Sequence, residues 1–215
     1  LKNSFPLPSG NFESKKEIDL IATIRQHLLL EEKKLMYKTK ASQSYPLIMF
    51  MVDASASMAK METISYIKGC LQASVKKLNG KVKFGVVWLA ENKVEIIPET
   101  RNTKQLIDQM KEFPVGGKTD LLQLFQRGEA LLRNQTLNDA NAISLFLFTD
   151  GRINAGLTQN PREAAISFFN KNFRKYRQKK LLDFSRGNQY WSRDFAEKTG
   201  MKFEEAQRPV SGSIS

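Results

Sequence analysis

The chain has 215 residues, 41% hydrophobic and 26% charged, a composition that suits a folded globular protein and excludes a fibre or a disordered tail. Lys and Arg number 34 against 22 Asp and Glu, a formal charge of +12 that favours acidic partners without choosing among nucleic acid, an acidic protein segment and a membrane surface. Cys70 is the one cysteine and His27 the one histidine, which excludes a disulfide framework and a multi-thiolate zinc site and leaves zinc or copper short of their preferred ligands.

The cysteine usage points to a reducing, cytoplasmic compartment. The longest apolar runs, Leu47 to Val52 and Ile143 to Phe148, fall far short of the roughly 18 residues that span a bilayer, so no membrane partner is expected. The first residues, LKNSFPLPSG, have neither an initiator Met nor an apolar core of signal-peptide length and read as the cut end of something longer.

Lys16 to Tyr37 is charged and apolar in helical rhythm, with Ile18, Ile21, Ala22, Leu28 and Leu29 able to share a face. Pro46 to Val52 (PLIMFMV) reads as a strand buried on both faces, as in a parallel sheet, and Asp53 ends it. Ile64, Ile67, Leu71, Val75 and Leu78 recur at three- and four-residue intervals and predict a helix over Met58 to Leu78, stopped by Asn79-Gly80. Val82 to Leu89 and Lys93 to Ile97, broken by Glu91-Asn92, predict a hairpin at the sheet edge.

Thr103 to Phe113 predicts a helix capped by Thr103 and closed by Pro114, and Leu121 to Leu132 another. Ile143 to Phe148 (ISLFLF) is a second apolar strand, ended by Thr149-Asp150-Gly151. Pro161 suits a helix start, and Arg162 to Arg177 reads as a basic amphipathic helix, followed by a strand at Lys180 to Phe184, a helix at Ser192 to Thr199 and a last strand at Met201 to Phe203. Strands alternating with helices imply a three-layer, doubly wound, mostly parallel open sheet with one antiparallel edge strand. The expected organisation is a helical lead-in and linker over 1–45, one α/β domain over 46–206 and a flexible tail over 207–215.

In such sheets ligands bind beyond the carboxyl ends of the strands. Asp53-Ala54-Ser55-Ala56-Ser57 follows the first buried strand, and Thr149-Asp150-Gly151 ends the later one. The alternating oxygens of Asp53, Ser55 and Ser57 can point toward one small hard cation, and oxygen-only ligands select magnesium, manganese or calcium. Nothing in this pocket supplies a nucleophile together with its base.

These residues resemble the von Willebrand factor A, or integrin I-like, domain, whose metal-ion-dependent adhesion site combines Asp-x-Ser-x-Ser with a distant Thr and a distant Asp. Asp53, Ser55 and Ser57 match the first part, Thr119 of GGKTD the second and Asp150 of TDG the third. VDASASMA, FPVGGKTDLL, FTDGRIN and the upstream IDLIATIR further resemble the carboxy-terminal region of the magnesium chelatase D subunit and its cobalt-chelatase relatives, over most of Ile18 to Phe203. Two departures stand out: Ala56 replaces the family's usual Gly, and Gly116-Gly117-Lys118-Thr119-Asp120-Leu121 replaces GGGTPL.

The resemblance implies that Ser55, Ser57 and Thr119 contact a Mg2+ ion directly, with Mn2+ or Ca2+ as alternatives, while Asp53 and Asp150 act through water or hydrogen bonds. A partner's carboxylate would complete the octahedron, so the domain docks proteins and leaves chemistry to its partner, a chelatase-type catalytic subunit or an AAA+ ATPase subunit. Lys118, Asp120 and Arg152, set around the ion, are the expected partner-binding residues.

Competing readings attach to single features. Gly117-Lys118-Thr119 imitates the end of a P-loop, but the first glycine of GxxxxGK[ST] would fall at Glu112 and a helix, not a strand, precedes it. His27 has no carboxylate or thiol at ligand spacing and receives no role. Lys171 to Lys180 (KNFRKYRQKK) could grip nucleic-acid phosphates, the alternative function; otherwise Phe168, Phe169, Phe173 and Tyr176 face the sheet and the cations face water. Trp88, Tyr190 and Trp191 suit a core better than a ligand surface.

Overall fold

The computed structural model describes residues 45–59, 63–133, 140–153, 155–156, 159–185, 187 and 189–206. The helix expected over Lys16 to Tyr37, with His27 and IDLIATIR, and the tail over 207–215 lie outside the described residues. Six strands form one sheet in the order β3-β2-β1-β4-β5-β6: β1 (Leu47–Asp53), β2 (Lys83–Ala90), β3 (Lys93–Thr100), β4 (Ile143–Thr149), β5 (Gln178–Asp183) and β6 (Lys202–Glu205). Every neighbouring pair is parallel except β2 and β3, which pair antiparallel at the edge, as the hairpin pattern predicts. Glu91 and Asn92 turn that hairpin with φ of 51° and 61°, the left-handed pair that a two-residue connection requires.

All seven residues of β1 are buried, and the pleat sends them to two separate cores. Leu47, Met49 and Met51 pack with α4 (Leu121–Arg133), α5 (Pro161–Phe173) and α6 (Tyr190–Thr199) on one face. Ile48, Phe50 and Val52 pack with α2 (Thr63–Lys77) and α3 (Thr103–Glu112) on the other. A strand flanked by two apolar layers cannot alternate polar and apolar residues, which is why LIMFMV is apolar throughout. Aromatic rings fill the wider gaps: Phe125 meets Phe169 at 5.0 Å between ring centroids on the first face, and Phe50 stacks on Phe84 at 6.0 Å on the second. The result is the expected three-layer fold.

Several boundaries differ from the sequence expectation. The helix expected over Met58 to Leu78 comprises a short α1 (Ala56–Ala59) and α2, with 60–62 outside the described residues. Asn102, not Thr103, caps α3: its side chain accepts from Gln105 N–H at 3.1 Å, while the Thr103 hydroxyl donates to Asn79 at 3.3 Å. Asn102→Ala is expected to cost about 1 kcal/mol of stability, and Thr103→Ala clearly less because its hydroxyl bonds another side chain and satisfies no helix N–H, both read from urea unfolding midpoints.

The basic helix stops at Phe173, four residues before Arg177, because β5 must begin at Gln178 to pair with Ser144. A turn closed by Tyr176 N–H to Phe173 C=O makes that change of direction and folds Tyr176 inward. Phe169, Phe173 and Tyr176 are buried and Phe168 is half-buried, while Arg174, Lys175 and Arg177 are exposed. Trp88 is fully buried and donates to Pro114 C=O, Trp191 stacks on Phe195, but Tyr190 is 72% exposed, contrary to expectation. Tyr190 opens α6 at the end of the sheet, beyond the reach of either core. No helix among the described residues is long and apolar enough to cross a membrane.

Candidate functional site

Parallel strands place their carboxyl ends side by side, so β1 delivers Asp53 and β4 delivers Asp150 to the same end of the sheet. Asp53 is fully buried, and its carboxylate is the hub of the site. Oδ1 accepts from Ser55 N–H at 3.1 Å, and Oδ2 accepts from the Thr149 hydroxyl at 2.9 Å. The Thr119 hydroxyl lies 3.4 Å from both carboxylate oxygens, and the Ser55 and Ser57 hydroxyls are 3.2 Å apart. Four of the five candidate ligands, three local in sequence and Thr119 brought in from 66 residues away, are thus linked by direct contacts.

Asp150, the fifth, is close enough for its charge to act on Asp53. It is buried, accepts from Arg152 N–H at 3.1 Å, and has the Arg152 Nε 3.8 Å from its other oxygen. Burial pushes the Asp53 carboxyl up to about 6; the hydrogen bonds from Ser55 and Thr149 oppose that rise, and the neighbouring Asp150 charge adds to it. Every group that hydrogen-bonds Asp53 is neutral, so its negative charge has no counter-ion among them.

The loop that carries Thr119 is moored to the edge hairpin. Gly116 N–H donates to Ala54 C=O at 2.8 Å, Glu91 N–H to Gly116 C=O at 2.8 Å, and Ala56 N–H to Gly117 C=O at 3.0 Å. Lys118 N–H donates to the Asn92 side chain at 3.0 Å. Gly117 has φ of 79°, and a Cβ there would lie 2.7 Å from Glu91 backbone atoms, so the Gly-Gly step is what lets the two backbones touch. Ala56, where the family pattern has Gly, begins α1 outside the left-handed region and tolerates a side chain.

The three residues expected to meet a partner are placed differently. Lys118 and Arg152 are both exposed, and Arg152 stands beside the Asp150 carboxylate. Asp120 is half-buried and its carboxylate accepts from Gln123 N–H at 3.1 Å, which makes it the cap of α4. Sequence reasoning missed Thr149, which braces Asp53 and also accepts from Gly151 N–H at 3.1 Å, although it stands in the same TDG triplet. It also missed Asp183 at the end of β5, fully engaged by the Ser185 and Ser192 hydroxyls at 2.6 Å each. Asp183-Phe184-Ser185 repeats the Asp-x-Ser spacing of the first strand end, the signal that could have found it. Ser192 is pressed against Gly151, where a Cβ would come within 2.5 Å of the serine oxygen.

Three hydroxyls and two carboxylates with no thiol or imidazole form a hard donor set, suited to magnesium, manganese or calcium. Among the described residues no three His, Cys, Asp or Glu side chains converge, so a cation in this chain would rely on hydroxyl oxygens.

Residues 48–152 match the family model described as von Willebrand factor type A domain. Among solved structures, a von Willebrand factor type A protein from Catenulispora acidiphila aligns over 82% of this chain and 41% of its own, at 13% identity and a TM-score of 0.62. The PilB minor pilin from Streptococcus sanguinis aligns over 81% of this chain and 59% of its own, at 12% identity and 0.61. The SpRpn10 VWA domain aligns over 77% and 91%, at 12% identity and 0.58. At such identities the likeness is one of fold, and this chain spans less than two thirds of the pilin and of the Catenulispora protein. No curated protein matches the sequence significantly. The strand order and the single antiparallel edge are those of the von Willebrand factor A-type α/β fold, in agreement with the match over residues 48–152.

Proposed function

We propose that this domain docks protein partners through a divalent cation, Mg2+ by preference with Mn2+ or Ca2+ as alternatives. Ser55, Ser57 and Thr119 would hold the ion with their hydroxyls, and Asp53 and Asp150 would stand behind them. The observation that carries this reading is the buried, uncompensated carboxylate of Asp53, pushed up to about 6 and bonded only by neutral groups. A dication beside it supplies the missing charge. With neutral hydroxyls as its direct ligands, such an ion keeps enough electrophilicity to accept an acidic side chain from another protein. The reading is one of binding: the site's hydroxyls contact one another and a carboxylate of the cation's own set.

The finer setting is a cytoplasmic D subunit of a magnesium- or cobalt-chelatase-like complex, docking a catalytic subunit or an AAA+ ATPase subunit. VDASASMA, FPVGGKTDLL, FTDGRIN and IDLIATIR support it. Immobilised chain is expected to retain such a subunit in magnesium and to release it in EDTA. The Ser55→Ala, Ser57→Ala double variant should weaken retention by at least about tenfold, a little over 1 kcal/mol. Retention indifferent to EDTA and to both substitutions would refute docking through the ion.

A further inference from the structure

The opposite end of the sheet, where the parallel strands begin, has another character. Lys76 and Lys77 close α2, and Lys81 lies in the turn before β2. Arg174, Lys175 and Arg177 occupy the turn between α5 and β5. All six are exposed, and none has an ion-pair partner among the described residues. The acids near them are mostly engaged: Glu99 pairs with Lys83 at 3.5 Å and Glu129 with Arg133 at 2.9 Å, leaving Glu197 near the end of α6. Lys179 and Lys180, by contrast, are tied to Thr199 C=O and to Glu204.

We propose that this cationic end binds the phosphodiester backbone of nucleic acid without reading its bases. Lys81 sits below β2 and Arg177 below β5, three strand spacings or about 14 Å apart along the sheet, too far for one small anion to bridge. A polymer with a phosphate every ~3.4 Å along each strand reaches both clusters at once. Arg174 and Arg177 add the planar fork that matches phosphate oxygens.

The apolar surface selects the partner class. The exposed large hydrophobic residues, Ile96, Val115 and Tyr190, lie on the edge strand or at the metal-site end, and Phe173 and Tyr176 are buried. A protein partner draws its affinity from exposed apolar and aromatic anchors; at this end Tyr45 is half-buried with the Arg101 guanidinium 3.7 Å from its ring, and no large hydrophobic residue is exposed among the described residues. Charge alone gives strong binding where condensed counter-ions are released, the situation of a nucleic acid. The same lack of exposed rings removes base stacking, so binding is insensitive to sequence and does not favour single strands. The two ends are separated by the length of β1, roughly 20 Å, so both can be engaged together.

The test is fluorescence anisotropy of a labelled duplex of about 20 base pairs with the whole chain at several salt concentrations. The expected dissociation constant is about 1–100 µM near physiological salt, with log K falling against log salt at a slope of about −4 to −5 for about five phosphates. Neutralising Arg174, Lys175 and Arg177 to Gln, or separately Lys76, Lys77 and Lys81 to Gln, should each cut the slope by about 2 to 3 and the affinity at least tenfold. Asp53→Asn and EDTA should change neither, which separates this surface from the cation site. The proposal is overturned if no binding occurs below about 1 mM, if both triple variants keep the full slope, or if polyglutamate of equal charge competes as well as unlabelled duplex.

Discussion

Asp53→Asn should stabilise the metal-free protein at about pH 7.5 and abolish any stabilisation by magnesium. The native Asp53 carboxyl is held at about 6, against an ordinary value of 3.8, so the folded chain binds that proton more tightly than the unfolded chain. Below pH 4 both states are protonated and the group exerts no penalty. As pH rises from about 4 to 6 the unfolded state releases its proton while the native state retains it, and stability falls; above about 6 the loss is complete. A rise of about two units corresponds to about 3 kcal/mol in the metal-free chain. An amide in place of the carboxylate removes that dependence, because the hydroxyls of Thr119 and Thr149 can reverse and accept. Magnesium should restore the wild type above pH 6 and leave the variant unchanged. Urea unfolding at about pH 5 and 7.5, with magnesium or EDTA, reads all four conditions. Equal wild-type stability at both pH values in EDTA would remove Asp53 as the buried charge that the ion offsets.

Gly117→Val carries the second large effect. The substitution puts a branched side chain at a φ of 79° and a Cβ 2.7 Å from the backbone of Glu91, which has no soft side-chain end to yield. The loop must leave the hairpin, and with it go the bonds from Lys118 N–H to Asn92 and from Ala56 N–H to Gly117 C=O. A loss of about 3 kcal/mol or more in stability is expected, within the range of severe backbone and overpacking effects. Magnesium affinity should fall at least about a hundredfold, since Thr119 stands two residues away. Gly116→Ala is the internal comparison: its φ of 123° is also unfavourable, but nothing lies within 4 Å of its Cβ. It should cost only the backbone strain, about 1–3 kcal/mol, and keep magnesium affinity within a few fold. Titration calorimetry and thermal unfolding measure both variants, and a Gly117→Val chain with full affinity would show that the close approach does not position Thr119.

The three-layer architecture was legible because burial on two faces leaves a signature that spacing alone reveals. LIMFMV and ISLFLF are too apolar for a half-solvated strand, and Ile64, Ile67, Leu71 and Val75 mark one face of a helix. Helix ends were less legible. Asn102 and Thr103 are both capping residues by type, and only the backbone path decides which side chain meets Gln105 N–H. Arg162 to Arg177 keeps its amphipathic rhythm past the point where the register of β5 on β4 forces the chain out of the helix.

The candidate site divided in the same way. Asp53, Ser55 and Ser57 are local in sequence, whereas their convergence with Thr119 depends on a hairpin turn, Glu91-Asn92, that has no ligand chemistry of its own. Asp120 illustrates the opposite case: an acid beside the loop looks available to a partner until the start of α4 claims it. Thr149 went unnoticed because a hydroxyl that braces a carboxylate is indistinguishable, on paper, from any threonine at a strand end.

Asp183 bears on how many ions this face can hold. Asp53 and Asp183 end β1 and β5, and Asp150 follows β4 between them, a row of buried carboxylates that by charge alone would invite a pair of cations. Both oxygens of Asp183 are already taken by serine hydroxyls at 2.6 Å, and one of them, Ser192, also holds α6 against the Gly151 bend. Its valence is spent inside the protein. Under the proposed reading the stoichiometry is therefore one cation per chain, and the third acid serves as a buttress that keeps the neighbouring Asp150 bend from drifting when the partner is pulled away.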